Sequence, residues 1–337
     1  MAGRHRLARS VRLVHRVCQI AGNPQLISDT RRLLTQQGVV TAVHHHDSSV
    51  LFNWLVEGTS YQGISDSVAH GYMARHGKIR WQDIATGFAA GPSCPRLTSY
   101  SQFEGCGYRK GARSCAEPSH FLHCPLPTHN LRNGRLNQTA YSLFLFVRDV
   151  ASGDLVAWFD ERLAAVDLAR PGHAARLRAA LLEPMNQIQG VSSKVLSMVL
   201  SSLLLATDPT RERWVKAGSV LIAVDTLVHN LLYRTGITQR LGAAHPYGHR
   251  CYRPDGCAAV IEQISAEIDA RRFNAEFPAN FPRYVQHALW RFCAENGLNE
   301  CNGHQIDDRN RCDRSDCPAF RHCDRIPLKP ERSKKDD

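Results

Sequence analysis

The spacing of apolar side chains predicts a protein built from α-helices. Apolar residues recur every three or four positions, the period of one helix face, through most of the chain. In the first segment of this kind they are Leu7, Val11, Val14 and Cys18. The other segments are 28–37, closed by Gly38; 50–56, with Asp47 or Ser48 as its cap; 57–75, with a break at 58–63; 138–150; 155–168; 173–182; 195–206; a helix after Asp225; 258–271; and 284–295. We therefore expect an all-α fold.

Residues 87–137 interrupt this pattern with many glycines and prolines and carry Cys106, Cys115 and Cys124. A loop-rich segment without its own apolar core needs a cross-link, and a zinc ion with Cys and His ligands is the usual one inside cells. We predict that these three cysteines hold Zn. Their spacing lacks a paired Cys-x2-Cys, so buried thiols without metal are the alternative.

Length and charge narrow the class of protein. A chain of 337 residues is long enough for two compact units. It has 42 Lys and Arg against 31 Asp and Glu, a net charge of +11, and a basic surface attracts polyanions such as nucleic acid. The longest apolar run, 195–206, is broken by serines and too short to span a bilayer. We expect no contact with a membrane.

The N-terminus and the cysteines indicate the compartment. The first residues lack the apolar core of a secretion signal. They are rich in arginine, which resembles a mitochondrial presequence, but a basic first helix accounts for them equally simply. Twelve cysteines without a secretion signal favour reduced thiols and metal ligands over disulfides. We expect a cytoplasmic protein.

The middle of the chain predicts a turn, a helix, a connector, a second turn and a second helix. The first turn contains Gly190, and a tight turn before a helix exposes backbone N–H groups that can hold a phosphate. Lys194 lies on the first turn of the first helix and Asp225 at the cap of the second. An amine and a carboxylate so placed are a candidate nucleophile and acid. A solvated lysine and an ordinary helix cap are the alternative.

This arrangement resembles the helix-hairpin-helix DNA glycosylases of the endonuclease III type. Their hairpin reads L-P-G-V-G-x-K-x-A, which Gly190, Val191, Ser192 and Lys194 resemble in order, and their aspartate lies in a V-D-T/V-H segment, as Asp225 does. The resemblance implies that Lys194 is the Schiff-base amine, that Asp225 is the catalytic acid and that the hairpin residues bind DNA. Ser192 stands in place of the second glycine, so a somewhat different turn is expected.

Two further segments resemble the same family. The tail reads Cys301-x10-Cys312-x4-Cys317-x5-Cys323, an elongated version of the family's Cys-x6-Cys-x2-Cys-x5-Cys loop, which implies a [4Fe-4S] cluster. Four thiolates also suit tetrahedral zinc. Gln62 falls on the family glutamine that fills the space left by an extruded base; a polar loop residue is the equal alternative.

The domains and the function follow from this resemblance. We expect a helical barrel at 30–224, with the insert at 87–137; a cluster domain made of 1–29 and 225–326; and a disordered tail at 327–337. The implied function is a monomeric, nucleoid-associated DNA glycosylase with AP lyase activity, of the bacterial type. It would flip a damaged or modified base out of duplex DNA and excise it through Schiff-base chemistry. A monofunctional glycosylase and a non-catalytic DNA-binding protein are the alternatives, and the sequence does not identify the base.

Overall fold

The protein is mostly helical and has almost no strand, which confirms the predicted all-α class. A computed structural model describes residues 2–64, 66–89 and 91–329. Its α-helices are α1 Ala2–Ala21, α2 Leu26–Gln36, α3 Val39–His44, α4 Ser48–Thr59, α5 Asp66–His76, α6 Trp81–Ala89, α7 Tyr100–Phe103, α8 Pro118–Phe121, α9 Asn137–Leu145, α10 Leu155–Ala164, α11 His173–Met185, α12 Ser193–Ala206, α13 Glu212–Val220, α14 Thr226–Arg234, α15 Ile237–Arg240, α16 Cys257–Ser265 and α17 Pro282–Cys293.

Shorter elements complete the list. A π-helical turn, Phe146–Val150, continues α9, and two two-residue strands, β1 Tyr108–Arg109 and β2 Ser114–Cys115, pair antiparallel within the insert. Short 3-10 helices lie at Pro95–Leu97, Leu126–Thr128, His249–Tyr252, Ala270–Arg272 and Phe320–His322. In the described part of the chain every helix is too short or too polar to cross a bilayer.

The contacts divide the chain into two compact units. The central unit is Ile27–Ala217, and the terminal unit combines Met1–Leu26 with Gly218–Asp337. The boundaries expected from the sequence, 29/30 and 224/225, differ from these by a few residues.

The central unit is organised around α12. Ten of the fourteen residues of α12 are buried, because both of its long sides face other helices. It packs against α4 and α11, and α4 in turn packs against α6, α9 and α10. Between α4, α6 and α9 the rings of Phe52, Trp81, Phe88 and Phe144 form a cluster whose closest centroids, those of Trp81 and Phe144, are 4.3 Å apart.

The terminal unit is organised around α17, which packs against α1, α14 and α16. Tyr284 is fully buried on this helix, and its ring lies 5.0 Å from that of Phe277. The two ends of the unit are also joined by charge: Asp324 pairs with Arg9 at 2.7 Å and with Arg240. The unit therefore needs both the N-terminal helix and the C-terminal segment.

Helix caps predicted from the sequence are present. The Asp47 carboxylate accepts hydrogen bonds from the backbone N–H groups of Ser49 and Val50 at the start of α4. Asp225 does the same for Val228 at the start of α14, at 2.9 Å. Each side chain satisfies donors that the first turn of a helix leaves without a carbonyl partner.

Several helix ends differ from the predictions for physical reasons. The helix predicted for 155–168 ends at Ala164, because the Arg213 guanidinium donates at 2.7 Å to the carbonyls of Leu163 and Val166 and so takes the place of the next helical N–H groups. The helix predicted for 258–271 ends at Ser265, whose hydroxyl turns to Asn280.

Three other expectations are revised. On α1 the buried face is centred on Leu13 and Val17, while Leu7 and Val11 are half-buried. The predicted tail at 327–337 falls mostly on 330–337, outside the described residues, but the Lys329 N–H donates to the Asp308 carbonyl at 2.9 Å. The connector that the sequence predicts between the two middle helices is itself largely helical, as α13.

Candidate functional site

The turn between α11 and α12 is shaped by one glycine and one serine. Gly190 has φ +80°, in the left-handed region that glycine adopts without strain. Ser192, at the position where a second glycine was expected, has φ −97°, and its hydroxyl accepts from the Val195 N–H at 3.4 Å. The serine is thus an ordinary helix cap. The turn tolerates the substitution because this residue does not need a positive φ.

Gln62 closes the same turn. Its amide Nε2 donates to the Gly190 carbonyl at 2.5 Å, and its Oε1 accepts from the Ser192 N–H at 2.9 Å. Gln62 lies in the link between α4 and α5, where Arg132 donates to its carbonyl. Both ends of the side-chain amide are therefore engaged by the hairpin. This gives Gln62 a structural role beside the predicted one.

The insert 87–137 contributes to the hairpin. The Gln189 side chain donates to the carbonyls of Phe103 and Glu104, at 3.1 and 3.0 Å. A Cβ placed on Gly190 would lie 2.7 Å from Lys110 Nζ and 2.7 Å from Thr139 Oγ1. The Lys110 ammonium thus lies directly against the turn. Sequence reasoning did not single out this lysine, because its partner is 80 positions further along the chain.

The two predicted catalytic residues belong to different units. Lys194 is the second residue of α12, in the central unit, and is half-buried. Asp225 is half-buried in the terminal unit, among Arg283, Tyr247 and Tyr252. Burial lowers the pKa of Arg283 to about 10, opposed by Tyr252 and Asp225. Burial also raises the pKa of Tyr247, and Asp225 raises it further.

The three predicted ligands of the insert lie together with a fourth cysteine. Burial raises the pKa of Cys124 to about 11, and the thiols of Cys106, Cys94 and Cys115 raise it further. Cys94 is buried, and the neighbouring Ser93 hydroxyl donates to the His123 carbonyl. The structure thus adds Cys94 to the predicted group of Cys106, Cys115 and Cys124.

The tail cysteines also form one neighbourhood. Burial raises the pKa of Cys323 to about 12, and the thiols of Cys301, Cys317 and Cys312 raise it further. Cys301 is buried and the other three are half-buried. All twelve cysteines of the chain lie in its described part, and each is a free thiol.

A group that the sequence analysis did not identify lies in the terminal unit. His229, His245, Cys251 and Cys257 are all buried, and their ligand atoms all lie within 4.8 Å of one another. Within the described residues, no other group of three or more Cys, His or acidic side chains is this compact. The protein therefore has a buried group that could bind a metal ion.

The contacts inside this group are close to those of a coordination shell. His229 Nδ1 lies 3.3 Å from Cys257 Sγ and 3.6 Å from Cys251 Sγ, and His245 Nε2 lies 3.4 Å from Cys257 Sγ. Hydrogen bonding from Cys257, outweighing burial, lowers the pKa of Cys251 to about 4. The same contact and burial raise the pKa of Cys257.

The sequence offered only a weak signal for these four residues. Cys251 and Cys257 are six positions apart, and the two histidines precede them at larger separations. His229 also fits the amphipathic pattern of α14. The one available signal was a pair of cysteines at the start of a helix, with two histidines earlier in the chain. None of these four residues had another predicted role.

Comparison with protein-family models, with curated proteins and with solved structures finds no match to this chain. Any function must therefore be argued from the chain's own residues.

Replacing Gln62 should loosen the hairpin. We expect Gln62→Ala to remove two hydrogen bonds and to destabilise the central unit by about 1 to 3 kcal/mol. Amide hydrogen exchange at Val191 and Ser192 should then accelerate by about tenfold or more, since 1.4 kcal/mol corresponds to a factor of ten. Hydrogen-exchange mass spectrometry measures this directly.

The matched control is Gln82→Ala, at an exposed position whose amide donates to the Thr86 hydroxyl one turn along α6. It should leave exchange in the hairpin unchanged. Equal exchange in wild type and Gln62→Ala would show that the turn does not depend on this side chain.

Proposed function

We propose that the protein is a DNA glycosylase with AP lyase activity, which excises a damaged or modified base from duplex DNA. The observation that carries the proposal is the turn that leads into α12. Gly190 supplies the left-handed residue, Ser192 caps the helix and Lys194 lies on its first turn. This is the order of groups found in the hairpin of endonuclease III-like enzymes.

The hairpin supplies the DNA contact in this proposal. Backbone N–H groups at a helix N-terminus and the partial positive charge of the helix dipole both favour a phosphate. The Lys110 ammonium, which lies against Gly190, adds a full positive charge to the same turn. Because Gln62 already accepts the Ser192 N–H, the phosphate would be held by the remaining first-turn amides and by Lys110.

Lys194 supplies the nucleophile. Its Nζ would attack C1′ of the nucleotide, forming the N–C1′ bond while the bond from C1′ to the base breaks. The leaving base takes the bonding electron pair and a proton. The C1′–O4′ bond then breaks, O4′ takes a proton from water, and a protonated Schiff base remains. Loss of a proton from C2′ to water then breaks the C3′–O bond, and the 3′ phosphate leaves with the bonding electron pair. A positioned lysine amine is an established kind of nucleophile for such steps.

Asp225 supplies the carboxylate. Its position at the cap of α14 fixes the side chain, because one oxygen accepts the Val228 N–H at 2.9 Å. A carboxylate next to a developing cationic sugar stabilises it and can move a proton. The basic and phenolic neighbours Arg283 and Tyr247 place Asp225 in a polar setting suited to that role.

A [4Fe-4S] cluster is proposed for Cys301, Cys312, Cys317 and Cys323. The thiols of Cys301, Cys312 and Cys317 raise the pKa of Cys323. The four sulfur atoms do not all lie within 4.8 Å of one another. A cluster carries its thiolates on the corners of a cube, whereas one zinc ion draws four ligands into a single small shell. The resemblance of the tail to the family's cluster loop favours a cluster, and zinc is the alternative. When bound, it would order the 301–323 loop, whose exposed Arg309, Arg311 and Arg321 suit a phosphate backbone.

The insert is proposed to hold a metal of its own. Cys94, Cys106, Cys115 and Cys124 give it four thiols, and β1 and β2 bring Cys115 opposite Tyr108, next to the loop that carries Cys106. The sequence alone favoured zinc on three ligands. With the fourth thiol the insert has enough ligands for either a zinc ion or an iron-sulfur cluster. Metal analysis distinguishes the two.

A non-catalytic DNA-binding protein is the second candidate. It is favoured by the engagement of both ends of the Gln62 amide in the hairpin, since a glutamine that inserts into DNA would have to leave those contacts.

Lys194→Ala should abolish covalent trapping. Borohydride reduces a Schiff base irreversibly, so wild-type protein and a duplex with an abasic site should give a protein–DNA adduct on a denaturing gel. The alanine variant should give less than about a hundredth of that adduct, because no other group occupies its place. It should still bind duplex, because charged side chains elsewhere supply most of the salt-dependent affinity.

Two lysine variants serve as controls. Lys216→Ala, on α13, removes an exposed lysine that pairs with Glu212 and should trap normally. Lys110→Ala should weaken binding but retain the adduct. Trapping that survives Lys194→Ala and is lost in Lys110→Ala would move the nucleophile to Lys110. Absence of any adduct or cleavage with wild type, across a panel of damaged bases, would favour the non-catalytic candidate.

Asp225→Asn should separate catalysis from structure. Asparagine caps helices as well as aspartate does, so the fold and the start of α14 should be retained while the negative charge is lost. We expect the single-turnover rate to fall by about 10² to 10⁴, with duplex affinity unchanged. A rate within a few-fold of wild type would exclude Asp225 as the acid.

Cys317→Ser should remove the proposed cluster. Wild-type protein purified without oxygen should be brown and contain iron and sulfide, whereas this variant should lose the visible absorbance of a tail cluster and about four iron atoms per chain. Cys18→Ala changes a buried cysteine remote from these thiols in sequence and should keep the iron. Cys124→Ser should keep the tail iron and lose only the metal of the insert. A colourless wild type that contains zinc alone would rule out the cluster.

A further inference from the structure

We propose that His229, His245, Cys251 and Cys257 bind one structural Zn²⁺, which holds the part of the terminal unit that surrounds Asp225. Zinc binding at this site does not depend on the proposed function. Only the effect of zinc on catalysis through Asp225 rests on the proposed function.

The distances fit one tetrahedral ion. With Zn–S near 2.3 Å and Zn–N near 2.0 to 2.1 Å, tetrahedral geometry separates ligand atoms by about 3.4 to 3.8 Å. Three of the six pairs are 3.3, 3.4 and 3.6 Å apart, close to this range, and the other three lie within 4.8 Å. Two thiolates and two imidazoles are one of the common ligand sets of structural zinc.

One histidine is already oriented as a metal ligand. His245 Nδ1 lies 2.7 Å from the Pro246 carbonyl, which can only accept a hydrogen bond. The proton of the neutral ring is therefore on Nδ1, and the Nε2 lone pair faces Cys257. A backbone carbonyl that fixes the tautomer in this way is the usual outer contact of a metal-bound histidine.

The four residues come from four separate elements, one of which is an irregular loop. His229 lies on α14, Cys251 in a 3-10 helix and Cys257 at the first position of α16, while His245 lies in the irregular segment 241–248. A loop of this kind has little apolar burial to fix its path. One ion would join all four elements, which is how structural zinc contributes to folding.

The site is also accessible to a metal. His229 and His245 line an open cavity of about 540 Å³, together with Tyr247. An ion could enter from this side and be enclosed by the two cysteines, which are fully buried.

The zinc would position the surroundings of Asp225. His229 follows Asp225 by one helical turn, and its N–H donates to the Asp225 carbonyl at 3.0 Å. The zinc-bound loop also carries Tyr252, whose hydroxyl lies 2.9 Å from the Val224 N. Loss of the ion should therefore loosen both the start of α14 and its neighbouring loop.

The first experiment measures metal in the full-length protein. Wild type prepared with zinc and iron present should contain, besides any zinc held by the insert, one zinc per chain that X-ray absorption at the zinc edge shows with two sulfur and two nitrogen ligands at the distances of a Cys2His2 site. Cys257→Ser should lose that zinc and the nitrogen ligands while keeping the tail iron. Cys18→Ala, again the matched buried cysteine, should keep both metals.

The outcomes distinguish this site from the others. Zinc with four sulfur ligands and no nitrogen would place the metal in the insert or the tail and would overturn the proposal, as would a Cys257→Ser variant that retains its full zinc content and the nitrogen signal. If that variant does not fold, the ligand count in wild type still decides. Failure of borohydride trapping would affect the proposed function and leave the zinc result unchanged.

Discussion

A buried imidazole must find a polar partner, and this constraint acts on His229 and His245 in the terminal unit. An unpaired polar group away from water costs about 1 to 3 kcal/mol. His229, His245, Cys251 and Cys257 satisfy one another across the start of α14 and the start of α16. Since both helices pack on α17, this one cluster links the segment 241–257 to the helical core. Tyr247 and Tyr252, the neighbours of Asp225, lie on that segment.

The central unit follows a different constraint, which is lack of space at Gly190. The residue needs a positive φ, and in addition Lys110 and Thr139 occupy the volume that a side chain would fill. With Gln189 bound to carbonyls at 103 and 104 and Gln62 bound across the turn, the insert and the hairpin form one structure. The insert thus packs against the hairpin, although in the sequence it only interrupts the helical pattern.

The sequence predicted what depends on neighbours in the chain. The spacing of apolar residues located most helices. The caps Asp47 and Asp225 could be predicted because each carboxylate bonds to backbone N–H groups no more than three residues further along the chain. It failed where a distant partner decides. Arg213 ends α10 from 50 positions away, and the four ligands of the buried Cys/His group come from four separate elements. The spacing of apolar residues carries no information about contacts between distant segments. For the same reason the sequence did not predict that Cys94 lies near the other insert thiols or that Lys110 lies at the turn.

The division of the chain has a consequence for how the molecule is made. The central unit is one continuous segment, whereas the terminal unit needs α1 from the beginning and residues after 218 from the other end. During translation, which adds about 5 to 20 residues per second, α1 emerges first and waits for α17 until the segment that contains it leaves the ribosome. The central unit can fold in that interval. The buried face of α1, with Leu13, Val14 and Val17, stays uncovered until then, so the core of the terminal unit closes only after the central unit has been synthesised.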